Sequence, residues 1–277
     1  MMIGDISIGI MQGRLSDKPG QPLQSFPHTT WQEEFYRAAN IGFDNIEWLV
    51  DSYDVDKNPL FSSKGQNAIQ EASNESGISI NSLCAHVFID GDLLFDKSTH
   101  SISNDFLAHL FDVTSKLNIE SIILPAMDSM SLTDEANREI LLTKLNKLLS
   151  GDGPLLLLET DMHGELLLNV LQEFNNKRLG ILYDLGNSNA LNFDAITELE
   201  LLNDFIFEIH LKDRDKVKGI SHRLGDGDTP FFEISKKLTY LKWCKRIVLE
   251  TPIFQNWELE AKNNFEFSKN IFSDLSN

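Results

Sequence analysis

Short, mostly apolar runs alternate with longer amphipathic stretches along the whole chain. The runs are Ile6–Met11, Phe43–Trp48, Ile78–His86, Ser121–Pro125, Leu155–Glu159, Leu179–Asp184, Phe205–His210 and Ile247–Glu250. Their length and apolar content predict buried parallel strands, covered on both faces. Helices are predicted between them. The first starts at Thr30, which has Glu33 three residues on, a capping-box spacing, and stops near Gly42. Further helices are expected over Gly65–Glu75, Asn104–Leu117, Thr133–Leu149, Gly164–Phe174, Phe193–Asn203, Phe231–Trp243 and Trp257–Phe272. Eight strands, each followed by a helix, predict an α/β fold, a (β/α)8 TIM barrel. No repeat, linker or low-complexity tract interrupts the alternation, so residues 1–277 read as one domain.

The last four runs end on side chains that can bind a metal: Glu159, Asp184, His210 and Glu250. One strand-end charge would read as solvated or paired with a neighbour. Four in succession read differently, because in this fold the C-terminal strand ends converge on a single mouth. Buried charges are costly unless paired or coordinating metal. Three carboxylates and one imidazole would offer a hard divalent cation an oxygen-rich shell. The connections Leu15–Thr29, Phe88–Thr99 and Lys212–Pro230 are longer than a barrel needs. All three follow strands and so belong to the mouth, as binding loops would.

Composition narrows the partners. Among 277 residues the formal net charge is −18, which argues against a nucleic-acid partner, since such binding relies on a basic face. The apolar stretch Ile6–Met11 is too short for a signal peptide or a membrane span. Cys84 and Cys244 lie in or beside strand segments and are expected as buried free thiols, with a cytoplasmic location as the default.

The chain resembles the xylose-isomerase-like sugar isomerases and epimerases. The resemblance is carried by the Glu159, Asp184, His210, Glu250 series and by three stretches: Tyr183-Asp184-Leu185-Gly186-Asn187, Ile209-His210-Leu211-Lys212-Asp213, and Leu224-Gly225-Asp226-Gly227 followed by Phe231. It implies a divalent metal, manganese, magnesium or cobalt, with zinc as a further option, held by Glu159, Asp184, His210 and Glu250. It also implies that Glu159 and Glu250 move protons on opposite faces of a carbohydrate, through a cis-enediolate. Many 3-epimerases of the family carry His three residues after the strand-six Asp. Here that position is Asn187, which hydrogen-bonds but does not titrate.

Further residues are candidates for contact with the substrate. The resemblance places Glu47, at the end of strand two, where substrate or a catalytic water is oriented; a structural ion pair is the other reading. His86 reads as a substrate contact or as a satisfied core histidine, and Arg14 as a grip on the substrate or a partner of surface carboxylates. Lys212, Arg214, Lys216, Lys218 and Arg223 crowd one loop, either to neutralise a substrate phosphate or simply as a solvated segment. Trp48, Phe88 and Trp257 are candidate apolar walls or plain packing. The expected activity is a metal-dependent sugar or sugar-phosphate isomerase/epimerase. A dehydratase built on the same ligands and a non-catalytic sugar-binding barrel are the alternatives. No nucleic-acid or membrane partner is expected, and a homo-oligomer is compatible with the sequence.

Overall fold

The computed structural model describes residues 6–89, 106–243, 245–254 and 256–276. Eight parallel strands close into a barrel: β1 (Ser7–Met11), β2 (Asn45–Leu49), β3 (Ser79–Cys84), β4 (Ser121–Ala126), β5 (Leu155–Thr160), β6 (Leu179–Asp184), β7 (Ile206–Leu211) and, after a small antiparallel ribbon of β8 (Asp213–Arg214) and β9 (Ser221–His222), β10 (Arg246–Leu249). Neighbours in sequence are neighbours in the barrel, and β1 closes it against β10 with Ile10 opposite Leu249. The TIM barrel expected from the alternation is the fold observed.

Helices α1 (Trp31–Ile41), α2 (Ser63–Ser76), α3 (Phe106–Lys116), α4 (Glu135–Leu148) and α5 (Gly164–Phe174) fall where the amphipathic stretches place them. Where one helix was expected before the seventh strand there are two, α6 (Leu185–Ala190) and α7 (Ala195–Leu201). The cause is local: the Asp184 side chain accepts from Asn187 N at 2.7 Å and starts a helix directly off β6. Helices α8 (Phe231–Leu241) and α9 (Trp257–Ile271) complete the ring. The capping box at Thr30 does not form. Its hydroxyl donates to Ser16 Oγ at 2.8 Å, which ties α1 to the loop after β1 instead. Among the described residues no helix is long and apolar enough to cross a membrane.

The main apolar core lies between the strands and the surrounding helices. The barrel interior is unusually polar: Asn45, Glu47, Ser82, Ser121, Glu208 and Arg246 are all buried there alongside smaller clusters such as Ile123, Leu157 and Leu182. Trp48 and Phe88 do not form apolar walls of the site. Both are essentially fully buried, Trp48 packed against Phe26 and Trp31, while Trp257 stacks under Arg37 on the outer face. Cys84 is a buried free thiol. Cys244 lies outside the described residues, as does most of the Phe88–Thr99 connection.

Candidate metal and catalytic site

Side chains alternate along a strand, so inward rows run Leu157-Glu159, Leu182-Asp184, Glu208-His210 and Val248-Glu250. The upper member of each row is a metal-grade group, and all four are buried. One ligand atom from each of Glu159, Asp184, His210 and Glu250 lies within 4.8 Å of all the others. His210 Nδ1 is 3.0 Å from Glu250 Oε2 and 4.0 Å from Asp184 Oδ2. Asp184 uses Oδ1 to cap α6, which turns the fully buried Oδ2 into the cluster, where it faces the Lys212 ammonium at 2.9 Å. Three convergent carboxylates and one imidazole, with donor atoms within 4.8 Å of one another, fit a divalent cation by donor chemistry.

The local electrostatics are strongly coupled. Burial pushes the Glu159 carboxyl up to about 7, reinforced by the neighbouring charge of Glu250. Burial would also raise Glu250, but Lys212, His210 and Arg14 hold it well below the usual carboxylate range. Lys212 Nζ sits 2.6 Å from Glu250 Oε2 and 2.9 Å from Asp184 Oδ2. Burial opposes the charge on Lys212, yet Asp184 and Glu250 keep its pKa above the ordinary lysine value. His210, fully buried, is likewise raised well above its usual value because Glu47 and Glu250 outweigh burial.

The other predicted site residues divide into those brought to the cluster and those set apart. Arg14 is buried, with Nη2 3.6 Å from Glu250 Oε1, so it pairs with a site glutamate and not with the surface carboxylates. Its guanidinium also donates to Leu23 O at 2.9 Å and Gln24 Oε1 at 2.5 Å. Asn187 Nδ2 donates to Glu159 Oε1 at 3.0 Å, and Arg214 Nη1 donates to Asn187 Oδ1 at 2.7 Å. Glu47 is brought to the cluster from below: it is fully buried in the barrel, with Oε2 3.0 Å from His210 Nε2. His86, half-buried, opens the short 3-10 turn His86–Phe88 after β3. Lys216, Lys218 and Arg223 are exposed, Arg223 pairing with Glu260 on α9 at 2.8 Å.

Sequence reasoning passed over three contributors. Gln24 Nε2 donates to Glu250 Oε1 from the loop after β1, a contact with no local signal in the chain. Buried Asp213 accepts from Gly225 N at 2.8 Å, Gly227 N at 2.9 Å and Thr229 N at 3.1 Å, and so pins the Gly225–Thr229 turn beside the site. Its place directly after Lys212 and ahead of Leu224-Gly225-Asp226-Gly227 was the available clue. Glu208, in the row beneath His210, binds Arg246 Nε at 2.7 Å.

A family model described as a xylose isomerase-like TIM barrel matches residues 35–271. A xylose isomerase domain protein from Planctomyces limnophilus is 14% identical with a TM-score of 0.73, over 99% of this chain and 99% of that one. D-allulose 3-epimerase from Methylomonas sp. is 15% identical with a TM-score of 0.70, over 97% of this chain and 98% of that one. D-psicose 3-epimerase from Clostridium cellulolyticum H10, in a structure with D-tagatose, is 13% identical with a TM-score of 0.70, over 96% and 99%. At these identities the likeness is one of fold. The search of curated proteins found no match to this chain.

Proposed function

The chain belongs to the xylose isomerase-like TIM-barrel family, and on that footing we propose that it is a divalent-metal-dependent sugar isomerase or epimerase. The observation that carries the reading is the convergence of Glu159, Asp184, His210 and Glu250 at the C-terminal mouth, with their donor atoms within 4.8 Å. The epimerases of similar fold support the reaction class. Glu159, Asp184, His210 and Glu250 would hold the cation, manganese, magnesium or cobalt by the family resemblance. When bound, it supplies Lewis acidity that polarises a ketose carbonyl and lowers the cost of removing the adjacent proton.

The chain's own groups do the rest. One of Glu159 and Glu250 takes the proton from the carbon beside the carbonyl, leaving an enediolate. The other returns a proton to the opposite face, which inverts that carbon; return to the neighbouring carbon interconverts aldose and ketose. Asn187 holds Glu159 Oε1, and Gln24, Arg14 and Lys212 hold Glu250, so both carboxylates are aimed before substrate arrives. Arg214 is assigned to a substrate phosphate. Three of its five N–H donors are used by Gly219 O and Asn187 Oδ1, and two remain.

The test is product analysis with Mn2+, using free ketoses, their phosphates and a dehydratase substrate. An epimer or isomer carrying solvent deuterium is the expected result. A dehydrated product would replace the reading with a lyase, and binding without turnover would replace it with a sugar-binding barrel. Elemental analysis of Asp184→Ala and His210→Ala should show metal-depleted, folded protein. Wild-type metal content in both would refute the site.

A further inference from the structure

We infer that Glu47 is a positioning residue for His210: it accepts the Nε2 proton and so fixes the tautomer that leaves Nδ1 free for a cation. The inference rests on the metal-centre reading and adds to it a residue that would act on the cation only through His210. His210 is fully buried, and each ring nitrogen has a carboxylate oxygen at 3.0 Å, Glu250 Oε2 at Nδ1 and Glu47 Oε2 at Nε2. Nδ1 faces the cluster, as its 4.0 Å approach to Asp184 Oδ2 shows. In a neutral imidazole one nitrogen carries the proton and the other the lone pair. Glu250 attracts that proton to Nδ1, where it would block coordination. Glu47 draws it to the other nitrogen.

Glu47 is in turn held by a chain of polar side chains that runs from the buried interior to the exposed Glu120 at the lower end of the barrel. Ser82 Oγ donates to Glu208 Oε1 at 3.0 Å and lies 3.3 Å from Glu47 Oε2. Glu208 takes Arg246 Nε at 2.7 Å, and Arg246 continues to Ser121 Oγ at 3.0 Å and Glu120 Oε2 at 3.1 Å. Burial opposes ionisation of Glu208, but Arg246 holds its carboxyl below the usual value. Glu47, Glu208 and His210 also lie within 4.8 Å of one another. Arg246 already supplies positive charge to that group, so one ion per chain is expected, not two.

The experiment uses the full chain, stripped with chelator and titrated with Mn2+ by calorimetry, with the metal count checked by elemental analysis. Glu47→Leu should weaken Mn2+ binding roughly ten- to hundredfold, the usual cost of losing such an outer partner. Glu47→Gln, whose amide oxygen still accepts from Nε2–H, should stay close to wild type. Side-chain 15N spectra of the Mg2+-loaded wild type should show His210 protonated on Nε2, its signal identified by its absence from His210→Gln. That reading needs no Glu47 variant to fold. A loaded wild type with Nδ1–H, equal weakening by Leu and Gln, unchanged binding in Glu47→Leu, or two ions per chain would each overturn the role of Glu47. A wild type that binds no divalent ion would instead refute the metal centre itself.

Discussion

Glu159 and Glu250 have the same chemistry but opposite surroundings. Burial and like charge raise the first, while Lys212, His210 and Arg14 hold the second ionised. Replacing either by Gln keeps the shape and removes the proton carrier. Turnover should fall roughly 10²- to 10⁴-fold, the usual contribution of general acid–base catalysis, in steady-state assays that follow product. A variant of either with near wild-type rate would remove it from the reaction. Arg214 sets a different test. If its two remaining N–H groups hold a phosphate, Arg214→Gln should raise KM for a phosphorylated ketose roughly ten- to a hundredfold, equivalent to about 1.5–3 kcal/mol. Equal small changes for the phosphate and the free sugar would leave Arg214 as a clamp on Gly219 and Asn187 alone.

Each element here does two jobs. Helix α6 exists because Asp184 caps it, and the same cap aims Asp184 Oδ2 into the cluster. Gly186 in that helix lets it lie against Lys212, since a Cβ there would meet Lys212 Cβ and Cγ at 2.9 Å. The Gly225–Thr229 turn depends on Asp213 in the same way. A Cβ on Gly227 would stand 2.3 Å from Asp213 Oδ1, so Gly227→Ala must push the carboxylate off at least one of its three N–H donors. Loss of one such charged hydrogen bond costs about 1.5–3 kcal/mol, which should lower Tm in thermal denaturation. Mn2+ affinity should hold, because none of the four ligands lies on the turn. An unchanged Tm would mean that the turn is not held by Asp213.

For the molecule as a whole, gathering these charges couples stability to pH. Burial raises Glu47 to about 8 and Glu159 to about 7, from an ordinary 4.5. His210 is raised above its ordinary 6.5. Without metal, the folded chain in each case keeps a proton that the unfolded chain has already released. The stabilisation is therefore complete below the unfolded pKa and is lost as pH rises through the folded one. Glu250 and Glu208 are lowered, and their contribution fades only as pH falls below about 4.5. Between pH 5 and 8 the slopes of Glu47, Glu159 and His210 therefore share one sign. In chelator, thermal denaturation should show a lower Tm at pH 8 than at pH 5, with the fall running up to where Glu159 and Glu47 titrate, about pH 7 and 8. Added Mn2+ should flatten the dependence, because a cation favours the charged carboxylates. Greater stability at pH 8 in chelator would contradict this coupling.

Period and residue type are local properties of the chain, so the alternation of apolar runs and amphipathic stretches was enough to identify the barrel. The rule that strand ends share one mouth was enough to bring Glu159, Asp184, His210 and Glu250 together. Tertiary structure alone decided the partners. Glu47 and His210 are 163 residues apart, and Gln24 and Glu250 are 226 apart. No pattern within either segment shows that the two will meet. Lys212 read as part of a basic loop, either neutralising a substrate phosphate or solvated, yet its place just past β7 puts the ammonium between Asp184 and Glu250. Arg246 and Glu208 carried no role that the local pattern could assign. They proved to be a matched pair inside the barrel, because closing the sheet sets the inward rows of β7 and β10 side by side.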